Sequence, residues 1–212
     1  MSLMSKKSKY WFIGIATTLV LVVVTAYIIN RSRKSSISCD SSVLYLGDSH
    51  TAGSWSYADK VMKHCNSTSS KKIAKVGAKT SWMREQLETE LKNKKYNLVV
   101  ILGGSNDIFA LSSIDKAKEN MNKMLELISS SGAKSVVINP PSKKFYSGAN
   151  DKQKSLIKSW TQFLKSHEQP IGFVNFEDLT QEQSVFAPDM VHVNSAGHKL
   201  LSDKFIEKFN LT

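Results

Sequence analysis

Five short apolar runs, separated by longer amphipathic segments, constrain the fold of this chain more than any other feature of its sequence. Each run is rich in Val, Ile and Leu, which is typical of strands buried on both faces of a parallel sheet. The predicted strands are residues 43–46, 73–76, 98–102, 135–138 and 171–176. Helices are predicted near residues 54–65, 81–94, 113–131, 150–167 and 195–209. This alternation predicts one α/β domain over residues 43–212, a three-layer α/β/α sandwich with a five-stranded parallel sheet.

The segments that follow the predicted strands carry the polar residues suited to chemistry. In sheets of this kind, ligands bind outside the carboxyl ends of the strands. The segments that leave those ends are residues 47–50, 77–80, 103–107, 140–144 and 177–194. We therefore expect an active site at this one edge of the sheet.

Ser49 follows the first strand through Gly47-Asp48, a tight strand-to-helix turn that would expose its hydroxyl near a helix N-terminus. That position suits a nucleophile, although Gly-Asp-Ser is also an ordinary turn and helix-cap sequence. Asp189 lies three residues before His192, a spacing that lets the carboxylate bind one ring nitrogen and direct the other toward a serine. His192 is then expected to take the Ser49 proton and return it to the leaving group.

Attack on a carbonyl also needs hydrogen-bond donors for the negative oxygen that forms. Three donors are predicted at the same edge: the backbone N–H of Ser49, the backbone N–H of Gly77 and the side-chain amide of Asn106. Taken singly, Asn106 is equally compatible with an ordinary turn, and Gly77 alone would be only a turn glycine.

In this order the residues resemble the four sequence blocks of the SGNH (GDSL-like) hydrolases, which contribute Ser, Gly, Asn and His. The resemblance covers residues 43–209, and the matching segments are Leu44-Tyr45-Leu46-Gly47-Asp48-Ser49, Gly77 with Thr80-Ser81, Gly103-Gly104-Ser105-Asn106-Asp107, and Asp189-Met190-Val191-His192 with Gly197. The resemblance implies a flavodoxin-like sandwich. It also implies metal-independent ester hydrolysis through an acyl-serine intermediate, with no cofactor.

Other residues are expected near this edge because of their positions in the sequence. The predicted substrate-lining residues are His50, Trp82, Phe109, Phe145, Tyr146 and Phe186. Core packing is the alternative for each aromatic ring, and a surface-loop histidine is the alternative for His50. Asp48 and Asp107 are expected to cap helices or stabilise turns. The remaining histidines are predicted to be solvated helix residues: His64, His167 and His198.

The N-terminal part of the chain contains a run of nineteen residues without a charge, residues 11–29. As a helix this run is about 28 Å long, enough to span a bilayer. We predict a basic tail over 1–10, a transmembrane helix over 11–29 and a polar linker over 30–42, with the domain outside the cytoplasm. A cleaved signal peptide is the alternative, because Val24-Thr25-Ala26 satisfies a small-residue cleavage rule.

The only cysteines of the chain are Cys39 and Cys65. Cys39 precedes the first predicted strand and Cys65 ends the helix after it, so both are expected at the bottom edge of the sheet. A disulfide is possible there, and two unpaired buried thiols are the alternative.

The charge of the chain bears on its partners. Its net charge is +11, but six of the 29 Lys and Arg residues lie in residues 1–34. The others are scattered without arginine-rich blocks, so we do not expect nucleic-acid binding. The anchor, the basic face and the short loops favour hydrolysis of acetyl-type esters on a carbohydrate or cell-envelope polymer. The alternatives are a lysophospholipase or thioesterase acting at the bilayer, an O-acyltransferase, and a non-catalytic membrane-tethered binding protein.

Overall fold

The computed structural model describes residues 37–110, 114–141, 150–167, 172–179, 183–189 and 191–211. The predicted basic tail, the predicted transmembrane helix and residues 30–36 of the predicted linker lie outside these ranges. None of the helices within them is long and apolar enough to cross a membrane. The membrane anchor over residues 11–29 therefore stays a prediction.

Parallel strands form one five-stranded sheet in the described part of the chain. The strands are β1 (Val43–Gly47), β2 (Lys71–Ala74), β3 (Leu98–Leu102), β4 (Lys134–Asn139) and β5 (Gly172–Asn175). Their spatial order is β2-β1-β3-β4-β5, with Leu44 of β1 opposite Lys71 of β2 and Val99 of β3. This is the flavodoxin-like order, in which the chain changes direction across the sheet between β1 and β3. Ligands bind at this switch point, so the loops after β1 and β3 are the ones placed to build a site.

The helices of the described residues alternate with these strands. They are α1 (Ser49–Ala52), α2 (Tyr57–His64), α3 (Thr80–Asn93), α4 (Ser105–Phe109), α5 (Ile114–Ser130), α6 (Asp151–Ser166), α7 (Phe176–Leu179) and α8 (Ser195–Phe209), with a 3-10 turn at Gln183–Val185. The longer helices begin and end within three residues of their predicted bounds. The short helices α1, α4 and α7, which sequence analysis missed, each follow the end of a strand and are too short to show a helical period.

The sheet separates two apolar layers, because alternate residues of a strand point to opposite faces. Tyr45 and Val100 pack on the face covered by α2 and α8. Leu44 and Val99 pack on the other face, against α3, α5 and α6. The predicted three-layer α/β/α sandwich with a five-stranded parallel sheet is therefore confirmed.

The second strand starts and ends two residues earlier than the predicted range 73–76. It runs over Lys71–Ala74, and Val76 lies beyond it with 71% of its surface exposed. As an edge strand, β2 carries lysines that form ion pairs, Lys71 with Glu90 at 2.6 Å and Lys72 with Asp59 at 2.7 Å. Charged residues are common on edge strands, so an apolar run alone does not mark the bounds of this one.

A disulfide joins Cys39 to Cys65, with their Cα atoms 4.7 Å apart. Cys65 is the C-cap of α2, so the bond fastens the segment before β1 to the end of that helix. Of the two alternatives that the sequence leaves open, the structure contains the disulfide.

We expect the Cys39→Ser/Cys65→Ser double variant to lose about 3–4 kcal/mol of unfolding free energy. The two residues are 26 positions apart, and a cross-link across a loop of that length limits the conformational entropy of the unfolded chain. Urea denaturation with and without a reductant measures the effect. The double variant is its own control, since its stability should not respond to the reductant. Equal stability of the variant and the oxidised wild type would contradict the prediction.

Candidate active site

The turn after β1 places Ser49 at the carboxyl edge of the sheet. Asp48 is the N-cap of α1, and its Oδ1 accepts the backbone N–H of His50 at 3.0 Å. Gly47 allows the chain to turn tightly here, because a Cβ at that position would collide with the side chain of Thr51. Ser49 is the first residue of α1 and is half-buried, which is the placement that the turn sequence predicts.

The turn before α8 carries His192 and Asp189. The Oδ1 of Asp189 accepts the backbone N–H groups of Val191 and His192, each at 2.9 Å. Its Oδ2 lies 2.7 Å from Nδ1 of His192. Because a carboxylate can only accept, Nδ1 must carry a proton, and in the neutral ring Nε2 is then an acceptor. This Nε2 lies 3.0 Å from Oγ of Ser49, 143 residues away in the chain. Serine, imidazole and carboxylate thus form one hydrogen-bonded chain.

The Asp189 carboxylate is held in its ionised form. The hydrogen bond from His192 and those from the two backbone N–H groups lower its pKa to about 2. The side chain of Asp189 is 50% exposed, so these bonds rather than burial set its charge. An ionised carboxylate at this position would stabilise an imidazolium if His192 accepted a proton.

Asn194 supports this turn, although sequence analysis did not single it out. Its side-chain amide donates to the carbonyl oxygens of Ser184 at 2.7 Å and Phe186 at 3.1 Å. Its Oδ1 caps α8 by accepting the backbone N–H of Ala196 at 2.9 Å. An Asn before a helix is a recognisable cap signal. The bonds to residues 184 and 186 depend on the tertiary fold and leave no such signal.

The predicted oxyanion donors lie on neighbouring strand ends. Asn106 is in α4, just after β3, and its Nδ2 donates to the carbonyl oxygen of Ala78 at 3.0 Å. An amide carries two hydrogens, so this bond uses one of them. Gly77 lies in the exposed loop after β2 with φ of +75°, a conformation that glycine adopts readily. The structure therefore brings Asn106 against the loop that contains Gly77.

The two aspartates of the strand ends cap helices, as the sequence predicts. Asp48 caps its own helix, α1. Asp107 caps a different helix, because its Oδ2 accepts the backbone N–H of Thr80, the first residue of α3, at 3.0 Å.

Two of the predicted substrate-lining residues are buried, and for these the expectation is wrong. His50 is 2% exposed and packs with its ring centroid 5.6 Å from that of His192, so it is neither a lining nor a surface-loop histidine. Burial lowers its pKa to about 3, which keeps the ring neutral. Phe186 is 6% exposed, and it packs in the core together with Val193, with which it forms an antiparallel β-bridge.

Trp82 and Phe109 are partly exposed, and their role as lining residues stays a prediction. Trp82 is half-buried with Nζ of Lys75 at 5.9 Å from its ring centroid, and Phe109 is 38% exposed. Phe145 and Tyr146 lie outside the described residues.

The three histidines predicted to be solvated differ in burial. His64 is exposed, whereas His167 and His198 are half-buried. Burial lowers the pKa of His198 to about 4. Within the described ranges, no three His, Cys, Asp or Glu side chains are grouped closely enough to hold a metal ion.

Asp48 gives the stability of the fold a dependence on pH. Its side chain is fully buried, and burial raises its pKa to about 7, above the value of about 3.9 for an unfolded chain. Folding therefore favours the protonated form of Asp48. The contribution of this group to the free energy of unfolding is lost as the pH rises from about 4 to about 7.

We expect the unfolding free energy of Asp48→Asn, relative to wild type, to rise on the order of 3 kcal/mol between about pH 4.5 and pH 8. The neutral amide avoids the growing cost of burying an ionised carboxylate. Urea denaturation at the two pH values measures this difference, with the exposed Asp115→Asn as the matched control. A difference that does not change with pH would refute this role of Asp48.

Comparisons with known proteins agree with this geometry. The sequence profile of the GDSL-like lipase/acylhydrolase family matches residues 45–200. Among curated protein sequences, none matches the chain significantly. Solved structures do share its fold. The psychrotrophic esterase EstA from Pseudoalteromonas is 18% identical with a TM-score of 0.64, and the match covers 81% of this chain and 97% of EstA.

Two further solved structures extend the comparison. A lipolytic protein of the G-D-S-L family from Veillonella parvula is 17% identical with a TM-score of 0.63, over 80% of this chain and 98% of that one. A mutant of Axe2, an acetyl-xylooligosaccharide esterase from Geobacillus, is 15% identical with a TM-score of 0.66, over 81% of this chain and 95% of that one. At these identities, the structures establish a shared fold.

The family match settles what the four sequence blocks indicate. It spans most of the chain, from β1 to α8, and includes Ser49, Asn106 and His192. The resemblance to the SGNH hydrolases is confirmed. The chain belongs to the GDSL-like lipase/acylhydrolase family and is a hydrolase of ester bonds.

Proposed function

We propose that this protein is a serine esterase that removes short, acetyl-type acyl groups from a carbohydrate or cell-envelope polymer. The observation that carries the proposal is the chain of bonds from Ser49 through His192 to Asp189. Nε2 of His192 is 3.0 Å from the serine Oγ, and Nδ1 is 2.7 Å from the carboxylate. A serine hydroxyl in contact with an oriented imidazole is an activated nucleophile.

In the proposed reaction, Oγ of Ser49 attacks the ester carbonyl carbon while Nε2 of His192 takes the hydroxyl proton. The carbonyl oxygen becomes negative and receives hydrogen bonds from the backbone N–H groups of Ser49 and Gly77 and from the Asn106 amide. As the tetrahedral intermediate collapses, the ester C–O bond breaks and the leaving alcohol takes the proton from His192. Water, activated by the same imidazole, then hydrolyses the acyl-serine and releases the acid.

The packing around the end of β3 supports a short acyl group. A Cβ on Gly103 would collide with Met83, and one on Gly104 would collide with Trp160. The indole N–H of Trp160 donates to the carbonyl oxygen of Gly103 at 3.2 Å. Core side chains therefore pack closely against Gly103 and Gly104, and we take this tight packing beside Asn106 as support for a short acyl group.

Accessible aromatic rings support a carbohydrate as the acylated partner. Trp55, in the loop after α1, is 72% exposed. Trp82 lies in the first turn of α3 beside Lys75. Flat rings and a nearby cation suit stacking against sugar faces and hydrogen bonding to sugar oxygens. Axe2, which shares the fold, is itself an acetyl-xylooligosaccharide esterase.

The proposed location is the outer side of a membrane, with residues 11–29 as the anchor. The Cys39–Cys65 disulfide supports this placement, because disulfides persist mainly in oxidising compartments outside the cytoplasm. A domain held there by its N-terminus is in reach of cell-envelope polymers.

The experiment that tests the proposal is a substrate profile of the full-length protein, with Ser49→Ala as the control. It compares p-nitrophenyl esters from acetate to decanoate, acetylated xylooligosaccharides and lysophosphatidylcholine. We expect kcat/KM to be highest for acetyl esters and to fall at least about 10-fold by decanoate, with acetate released from the glycan. An optimum at long chains together with cleavage of the lysophospholipid would favour the lipase alternative instead. Absence of turnover would favour a binding protein or an O-acyltransferase that lacks its acceptor.

A further inference from the structure

Two consecutive residues of α4 hold the loop that follows β2. Nδ2 of Asn106 donates to the carbonyl oxygen of Ala78 at 3.0 Å. The carboxylate of Asp107 accepts twice from Thr80, at 3.0 Å from its backbone N–H and at 2.9 Å from its hydroxyl. Residues 78 and 80 are thus both fastened to α4, one by each residue. Because α4 follows β3 directly, the loops after two different strands are joined at this point.

The hydrogen bonds of Asp107 are buried, and their donors and acceptors can be assigned. Asp107 is 5% exposed and Thr80 is fully buried. Since the Thr80 hydroxyl gives its proton to Asp107, its oxygen can accept from Nδ2 of Asn120 at 3.2 Å, and Oδ1 of Asn120 accepts from Arg84 at 2.9 Å. The network therefore ties α3, α4 and α5 together and leaves the hydroxyl one orientation.

The N-cap residue of α3 does not cap the helix with its own side chain. Lys79 is the N-cap residue, and its side chain makes no capping hydrogen bond. The first backbone N–H of the helix is instead satisfied by a carboxylate 27 residues further along the chain. An Asp that capped α4 would stabilise only that helix. Asp107 instead fixes the loop between β2 and α3.

The loop held in this way also contacts β1, the strand that precedes the nucleophile. The backbone N–H of Lys75 donates to the carbonyl oxygen of Gly47 at 3.2 Å, and that of Ala78 donates to the carbonyl oxygen of Lys75 at 3.1 Å. Gly77 lies inside this turn with a positive φ. One end of the loop is therefore set by β1, and the other end is set by Asn106 and Asp107.

We propose that Asp107 is a positioning residue for the oxyanion site: it holds the loop that carries Gly77 against Asn106, so that both donors keep one fixed spacing. The inference rests on the proposed esterase function, because it assigns Asn106 and Gly77 to the same negative oxygen. Catalytic geometry is sensitive to such spacing, and a shift of about 1 Å can cost about 100-fold in rate. Asp107 itself touches neither the nucleophile nor its proton acceptor among the contacts described.

The direct test is Asp107→Asn in the full-length protein, with p-nitrophenyl acetate as substrate. The amide keeps the shape of the side chain but replaces one acceptor with an NH2 group, which cannot accept from Thr80. We expect kcat to fall about 10- to 100-fold, while KM changes less than about 3-fold. The matched control is Glu90→Gln at the far end of α3, a carboxylate that is 9% exposed and accepts from Tyr96 and Lys71. It should lower the melting temperature and leave kcat unchanged.

A second pair of variants carries the test if Asp107→Asn does not fold. Thr80→Val removes the hydroxyl and keeps the backbone N–H, so it should lower kcat by less than Asp107→Asn does. Thr80→Ser restores the hydroxyl and should restore most of the wild-type kcat. A residue that acts only on stability would not give this recovery at a temperature well below the melting point.

A double-variant cycle with Asn106→Ala shows whether Asp107 acts through the oxyanion donors. If it does, adding Asp107→Asn to Asn106→Ala should cost less than about 3-fold in kcat, well below its cost in the wild type. Equal costs in the two backgrounds, or a wild-type kcat in Asp107→Asn and Thr80→Val, would overturn the inference. Failure of the esterase proposal looks different, because hydrolysis would then be absent from the wild type or would survive Ser49→Ala.

Discussion

Replacing Ser49 by Ala is expected to lower kcat for p-nitrophenyl acetate by about 10⁴-fold or more, and replacing His192 by Ala should do the same. The serine Oγ lies 3.0 Å from Nε2 of the imidazole, and in the proposed reaction Ser49 supplies the nucleophile and His192 removes its proton. Because the two groups act as a unit, the double variant should lose little more activity than either single variant. Initial rates over a range of substrate concentrations give kcat for all three.

Matched controls separate this loss from general damage to the fold. Ser129→Ala changes an exposed serine of α5, and His167→Ala changes a half-buried histidine at the end of α6. Both should keep wild-type kcat. A His192→Ala variant that keeps more than about a tenth of the wild-type kcat would mean that another group activates the serine.

Asn106→Ala should lower kcat by about 10²- to 10³-fold and leave KM nearly unchanged. In the proposed reaction the amide binds the oxygen after it becomes negative, so its loss should destabilise the transition state more than the bound ester. The control is Asn122→Ala, which removes an exposed amide from α5. A rise in KM with no change in kcat would instead assign Asn106 to substrate binding.

The sheet could be predicted well where its strands are buried on both faces. β1 and β3 are buried along their whole length, so each forms an unbroken apolar run in the sequence. β2 lies at the edge and begins with Lys71 and Lys72, and its predicted range was therefore displaced toward Val76. The positions of edge strands depend on what pairs with them, which local composition does not record.

The candidate site was predictable where its geometry is local. The spacing of Asp189 and His192 within one turn, and the position of Ser49 after a buried strand, are features of short segments. The bonds that join Asp107 to Thr80 and Asn194 to Ser184 connect separate loops, so their partners cannot be identified without the fold.

Burial explains the lining residues that were predicted wrongly. His50 and Phe186 are close in sequence to the site but point into the protein, with 2% and 6% of their surfaces exposed. The local sequence around an aromatic or histidine residue in a loop does not reveal whether its ring packs inward or faces a ligand. Only the tertiary structure distinguishes the two.

The central claim is that Ser49 is an activated nucleophile, and labelling with a fluorophosphonate tests it most directly. The full-length protein and its His192→Ala variant are treated with the probe, digested and mapped by mass spectrometry. The phosphonyl adduct is expected on the peptide that contains Ser49, and it should be lost or strongly reduced without the imidazole. An adduct on a different serine, or no adduct on the folded wild type, would contradict the claim.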